Sequence, residues 1–389
     1  MDQGKEMNYD FDQIIERKGT DSIKWQRYGN DVIPLWVADM DFVSPEPIIQ
    51  ALHERLEHRV FGYTRPGMEL INIIQERLAR LYAWDVLPEH IIFVPGVVTG
   101  LNLAFQLFAA HGDGILVQPP VYSHFITDPV WRGRELVTSP LLRNGNTYEI
   151  DFGALENAIT SRTRIYVLCN PHNPVGRVFR SDELEQLARI CLRHNILICS
   201  DEIHCDLVYP DHTHIPIATL DEVIADQTIT FMSPSKTFNL AGLKCSFAII
   251  KNPVLRQAWL RGSAGLIPHV NIMGLTAALA GFRDGQEWLD QCLSYLKGNR
   301  DFLVEYVGKK LPPIVMTHME GTYLAWLDCG QSGIPGNPFH FFLREAKVAL
   351  NDGAECGEGG EGFVRLNFAC PRNLLVEALD RMVNAFEKL

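Results

Sequence analysis

Ser233-Pro234-Ser235-Lys236-Thr237-Phe238-Asn239-Leu240-Ala241-Gly242-Leu243-Lys244 is the stretch around which the rest of the chain is organised. It follows Thr228-Ile229-Thr230-Phe231-Met232, whose β-branched and aromatic residues predict a buried strand. Lys236 therefore falls where a parallel strand opens into a crevice, the usual ligand position of an open α/β sheet. An amine kept neutral there can attack a carbonyl, as in Schiff-base chemistry. Ser233 and Ser235 offer hydroxyls to a phosphate, and Lys244 offers a second cation. Alone, the segment reads equally as a solvent loop with a hydrated lysine, because so short a motif recurs by chance.

The flanking sequence supplies a framework. Apolar runs at 91–94, 115–118, 164–169, 196–200, 228–232 and 245–250 alternate with helical patterns such as 181–194, which predicts an α/β fold with a mainly parallel sheet covered on both faces. Ser44 is placed as the cap of a helix with Pro45 and Pro47 in its first turn and Ile48, Leu52 and Leu56 on one face. Ile71, Ile74, Leu78 and Leu81 mark another helix. The strand at 91–94 breaks at Pro95-Gly96 and runs on through Val97-Val98-Thr99-Gly100 into a helix, leaving free backbone N–H groups that suit a phosphate. A long helix is expected near 286–310, then strands at 322–327 and 363–368. We read residues 42–285 as a large domain. The arm 1–41 and the segment 286–389 are read as a smaller α/β domain.

Bulk properties narrow the classes. The chain has 389 residues, 47% of them hydrophobic, enough for a large core without covalent staples. A net charge of −12 argues against nucleic acid or an anionic membrane as partner. Nine cysteines, scattered and without a C-x-x-C pair, fit reduced thiols. The N-terminus lacks the apolar core of a secretory signal, and no apolar run reaches the ~18 residues of a membrane span. A cytoplasmic protein is expected.

Polar residues at strand ends carry the chemistry. Asp201 closes the run 196–200, Asn173 lies in Asn-Pro-Val-Gly, Tyr122 follows Pro119-Pro120, and Arg365 interrupts an apolar strand. Each has a plain structural use as well: a turn cap, a turn, core packing, a rim ion pair.

Taken in order, they resemble a known family. Ser-x-Ser-Lys-x-x-x-Leu-Ala-Gly at 233–242 is similar to the cofactor-lysine segment of fold-type I enzymes that use pyridoxal 5'-phosphate (PLP). Trp36-Val37-Ala38-Asp39-Met40-Asp41-Phe42, Asn170-Pro171-His172-Asn173-Pro174-Val175-Gly176 and Asp201-Glu202-Ile203-His204 resemble the cystathionine β-lyase and cystalysin branch. The resemblance spans about Tyr9 to Arg372. It implies that Lys236 carries PLP and that Asp201 pairs with the ring nitrogen. Asn173 and His204 would contact the ring oxygen, and Tyr122 would stack on the ring. Val97, Val98, Ser233, Ser235 and Lys244 would hold the phosphate, while Arg365 and Ala38 would bind the substrate carboxylate. Tyr63 would act in the neighbouring subunit's site, which makes the protein a homodimer with shared active sites. His204 stands where aspartate aminotransferases usually carry a tyrosine, a departure that favours the lyase branch. The implied reaction is β-elimination from a cysteine S-conjugate such as cystathionine, giving a thiol, pyruvate and ammonia. Aminotransfer shares the early steps and stays open, as does, more remotely, an idle regulatory protein on the same fold.

Three other patterns invite different readings. Gly357-Glu358-Gly359-Gly360-Glu361-Gly362 matches G-x-G-x-x-G, but it precedes a strand and carries two glutamates, so we read it as a mobile loop and not a dinucleotide site. His204, Cys205, His212 and His214 have no zinc-like spacing, and no metal is expected. Cys169 has no evident base and reads as a core thiol.

Overall fold

The computed structural model describes residues 8–389. Seven strands form the central sheet: β1 (Ile91–Val94), β2 (Gly114–Val117), β3 (Glu135–Thr138), β4 (Thr163–Cys169), β5 (Leu197–Asp201), β6 (Thr228–Met232) and β7 (Ser246–Ile249). Their order is β1-β7-β6-β5-β4-β2-β3, and only β7 runs antiparallel to its neighbours. The central strands are buried along their whole length, which is why they read as continuous apolar runs.

Two of the cores lie on opposite faces of the sheet. One packs the helix Val97–Phe108 and Trp259 against Val167, Cys199, Ile229 and Phe231. Gly100 in that helix faces the ring of Phe231, where an added Cβ would meet a ring carbon at 2.6 Å. The opposite core joins Leu184, Leu187 and Ile190 of the helix Ser181–Arg193 to Leu116, Tyr166 and Ile198. Trp326, stacked on Phe363 at 5.0 Å, belongs to this second core and ties a smaller antiparallel sheet to the large one. That smaller sheet runs Val315–Met316, Leu324–Asp328, Phe363–Asn367, Asn351–Asp352 in spatial order. A third core gathers Phe11, Leu35 and Met40 with Trp288, Leu303, Leu366 and Leu379, so the N-terminal arm and C-terminal segment pack together. We propose a smaller domain of 1–41 and 286–389, of which 1–7 lie outside the described residues, beside a larger 42–285, which also sends Ile48, Leu207, Phe238 and Ala277 into this core.

Several sequence expectations change. Ser44 is not a helix cap: Pro45 occupies the cap position of the helix Glu46–Glu57, and the Ser44 hydroxyl donates to the Asn239 carbonyl at 3.4 Å. Leu56 and Leu81 are exposed, because the apolar faces of their helices end one turn earlier. The edge strand β3 and the hairpin Leu142–Asn144/Thr147–Glu149 were not anticipated, since their half-exposed residues carry no apolar run. The long helix Gln286–Lys310 lies where expected. The glycine-rich segment at 357–362 is a packed turn, in which a Cβ on Gly360 would meet the Gly353 carbonyl oxygen at 2.0 Å. All nine cysteines are free thiols. Among the described residues no helix is long and apolar enough to cross a membrane.

Candidate active site

Asp201 ends β5 in the middle of the sheet, in register with Cys169 on β4 and Phe231 on β6. Its Oδ1 accepts from the Ile203 N–H at 3.1 Å, and no described residue donates to the other oxygen. Burial raises its pKa to about 7. A buried carboxyl of this kind calls for a cationic partner.

β6 leads into the one-turn helix Pro234–Thr237, which carries Lys236. Ser233 caps that turn. Its hydroxyl accepts from the Ser235 N–H at 3.1 Å and donates to the Cys245 carbonyl at 2.7 Å. Expected to reach a phosphate, Ser233 instead stands behind the wall and leaves Ser235 to face inward. Lys236 Nζ donates to the Ala38 carbonyl at 2.5 Å, and loss of hydration lowers its pKa to about 8. The Tyr323 hydroxyl donates to the same oxygen at 2.9 Å.

The segment 36–42 is a strap held by distant side chains. Asn367 Nδ2 donates to the Val37 and Asp39 carbonyls, both at 2.6 Å, and Asn239 bonds the Met40 N–H and the Met40 and Phe42 carbonyls. Below it, Lys24 is buried against Asp41 at 2.6 Å, and Arg17 pairs with Asp39 at 2.8 Å. This lattice fixes where the Ala38 carbonyl points.

Arg365, buried on the strand Phe363–Asn367, donates from Nη1 to Asn173 Oδ1 at 2.9 Å and from Nη2 to the Trp36 carbonyl at 3.0 Å. Its Nε is buried without a partner, as is His204 Nδ1. Burial pushes His204 down to about 3, so its imidazole is neutral, and pushes Tyr122 up to about 12. Register sets Ser246 of β7 beside Val94 of β1, so Lys244 and Ser235 gather near the helix start at Val97 and Val98. There Gly96 takes φ +121°, a conformation open to glycine, as the chain turns into the helix.

These groups surround one cavity of about 520 Å³. Every residue given a site role from sequence lines it except Ser233 and Tyr63. Tyr63 is fully exposed, outside its own chain's cavity. Arg27, Trp36, Thr99, His124, Asn351 and Glu355 also line the cavity. Thr99 and Trp36 neighbour motif residues and were within reach of sequence reasoning; Asn351 sits on a two-residue strand and Glu355 on the short turn after it, both too brief to leave a periodic signal. Cys169 is buried and its thiol pushed up, as befits an inert core group.

The donor set suits PLP. Helix-start N–H groups, a hydroxyl and a lysine can hold its phosphate, a buried carboxyl can meet its ring nitrogen, and the buried Arg365 Nε and His204 Nδ1 have no protein partner. Comparison with known proteins agrees. The chain matches the aminotransferase class I and II family over residues 30–382. It is 39% identical to the cystathionine β-lyase PatB of Bacillus subtilis, covering 96% of this chain and 98% of that protein. Cystalysin from Treponema denticola, whose structure contains a PLP cofactor, superimposes with a TM-score of 0.95 at 34% identity, over 98% of this chain and 100% of that one. A PLP-bound C–S lyase from Staphylococcus hominis follows at 0.92 and 33%, over 98% of each chain. This chain therefore belongs to the class I and II aminotransferase family of fold-type I PLP-dependent enzymes, alongside the cystathionine β-lyases and C–S lyases.

Proposed function

We propose that the protein is a carbon–sulfur β-lyase acting on cysteine S-conjugates such as cystathionine, releasing a thiol, pyruvate and ammonia. The observation that carries this reading is the Lys236 amine, set inside the cavity against the Ala38 carbonyl with its pKa lowered to about 8. Such an amine is neutral often enough near neutral pH to remove a proton from carbon. The names of the relatives support the C–S bond as the one that breaks.

PLP supplies an electron sink next to the substrate's Cα. Tyr122 would stack on the cofactor, Asn173 and His204 would serve its ring oxygen, and Val97, Val98, Ser235 and Lys244 would hold its phosphate. Asp201 would favour a positive charge on the ring nitrogen by offering it a buried carboxylate. Arg365 and the Ala38 strap orient the substrate carboxylate, the Arg365 fork being suited to two-point recognition. Lys236 takes the Cα proton, and the electron pair left on Cα closes a double bond to Cβ as the C–S pair departs on sulfur. Water then converts the three-carbon remainder to pyruvate and ammonia. The working form is a cytosolic homodimer in which the exposed Tyr63 reaches the neighbouring site.

Purified holoenzyme given L-cystathionine should release pyruvate, read with lactate dehydrogenase, and homocysteine in equal amount. Keto-acid formation from alanine with no pyruvate from cystathionine would overturn the lyase reading in favour of aminotransfer.

A further inference from the structure

His124 is a cavity residue to which the steps above give no work. It sits one turn before Asp128 on the helix Ser123–Trp131, and its Nδ1 lies 3.0 Å from Asp128 Oδ1. Asp128 is buried and tightly fixed: Asn102 Nδ2 donates to Oδ2 at 2.5 Å and Thr127 Oγ1 to Oδ1 at 3.2 Å. Arg132 Nε in turn donates to Asn102 Oδ1 at 2.9 Å, which locks the amide. An i, i+4 His–Asp pair on an ordinary helix face would have a solvated carboxylate; this one is built into the wall. With Nδ1–H directed at the carboxylate, Nε2 is the position left for proton exchange. His124 also lines a second groove of about 430 Å³, shared with Val98, Thr99 and Trp131, so its ring stands between the reaction chamber and open water. Its side chain is 40% exposed, which permits reprotonation.

Building on the lyase reading, we infer that His124, oriented by Asp128, is the acid that protonates the departing sulfur. As the Cβ–S bond breaks, its electron pair stays on sulfur and the Nε2 proton passes to it, so the product leaves as a neutral thiol. Lys236 keeps the Cα proton, and His124 regains its own from water. His204, the other imidazole in the wall, is held neutral by burial and has no proton to spare for this.

Leaving groups that differ in their need for a proton test the assignment. Holoenzyme, His124→Gln and Asp128→Asn are assayed for pyruvate from S-ethyl-L-cysteine, whose thiolate leaves poorly, and from β-chloro-L-alanine, whose chloride needs no proton. In His124→Gln the ratio of kcat/KM for the two substrates should fall by about 100-fold or more, the usual scale of a lost general acid. Asp128→Asn should lower it less. Affinity for S-ethyl-L-cysteine, measured calorimetrically in PLP-loaded Lys236→Ala protein with and without His124→Gln, should change by no more than about twofold, because the assigned role is proton transfer. Equal slowing on both substrates, or a parallel loss of affinity, would show a structural or binding role and overturn the inference. Unaltered kcat/KM on both substrates would show that Lys236 returns its own proton to sulfur, and would overturn the inference as well. No pyruvate from either substrate with the unmodified enzyme would remove the lyase reading itself, and this inference with it.

Discussion

Arg365 Nη1 donates to Asn173 Oδ1 across 2.9 Å, joining a strand of the small sheet to the loop after β4 of the large one. The bond couples two tasks. It turns the Asn173 amide so that its N–H groups remain for a ligand, and it fixes the guanidinium plane.

From this coupling, Arg365→Lys should raise KM for the amino-acid substrate by about 30-fold or more, since an ammonium cannot reproduce the planar fork. Asn173→Ala should weaken both cofactor and substrate binding. In a double-mutant cycle the two losses should fall short of additive. Strict additivity in the measured KM values would mean that the bond transmits nothing.

Lys236→Ala should abolish turnover and leave no cofactor fixed to protein after borohydride reduction, while the far-ultraviolet circular dichroism is retained. Mass spectrometry showing reduced cofactor still attached to the variant would place the Schiff base on another amine.

Asp201 makes a prediction about pH. Burial raises its pKa to about 7 from the ordinary 3.8. Between these values the unfolded chain releases the proton while the folded, cofactor-free protein keeps it, so this group costs stability progressively as pH rises. Apoprotein with Asp201→Asn should therefore show a higher Tm than the parent at pH 8, with the gap closing towards pH 4. A gap that widens on acidification would contradict the burial argument. With PLP bound the same variant should lose at least ~100-fold in kcat, the scale of one lost electrostatic group.

Lys24 has a fully buried side chain between Asp41 and Asp39. Lys24→Met should cost about 3 kcal/mol, because Arg17 alone would then face both the Asp41 and the Asp39 carboxylates. Because those aspartates anchor the strap, KM should rise as well. Urea denaturation and steady-state kinetics read the two effects, and a variant as stable as its parent would show the cluster to be slack.

Tyr63, exposed in the single chain, should act across a dimer interface. Mixing inactive Lys236→Ala and Tyr63→Phe chains should restore activity in one site of each heterodimer. Continued inactivity despite verified subunit exchange, or sedimentation as monomer alone, would set the idea aside.

What could be read from sequence follows a physical line. The central strands announce themselves because burial on both faces demands unbroken apolar runs, and the polar residue ending each run is then conspicuous: Asp201 after β5, Ser235 and Lys236 after β6. Ser233 and Ser235 could not be told apart because two serines flanking a proline look alike in sequence, whereas only Ser235 lines the cavity once the turn forms. The strap's fastenings were invisible. Asn239 lies 199 residues from Met40 and Asn367 lies 330 from Val37, and nothing in either neighbourhood marks the partner. Strand β3 and the exposed hairpin after it escaped for the opposite reason, having too little buried surface to leave a pattern. His124 looks like any helix-face histidine until Asn102, twenty-six residues before Asp128, is seen closing on that carboxylate.

The Ala38 carbonyl accepts from both Lys236 and Tyr323. A base that works on carbon must let go of its resting partner in each catalytic cycle, and a buried carbonyl abandoned at that moment would pull its loop out of place. Here the tyrosine keeps hold. The moving part of the chemistry can swing free while the frame around it stays latched, so the wall that greets the next substrate is already in position when the last product leaves.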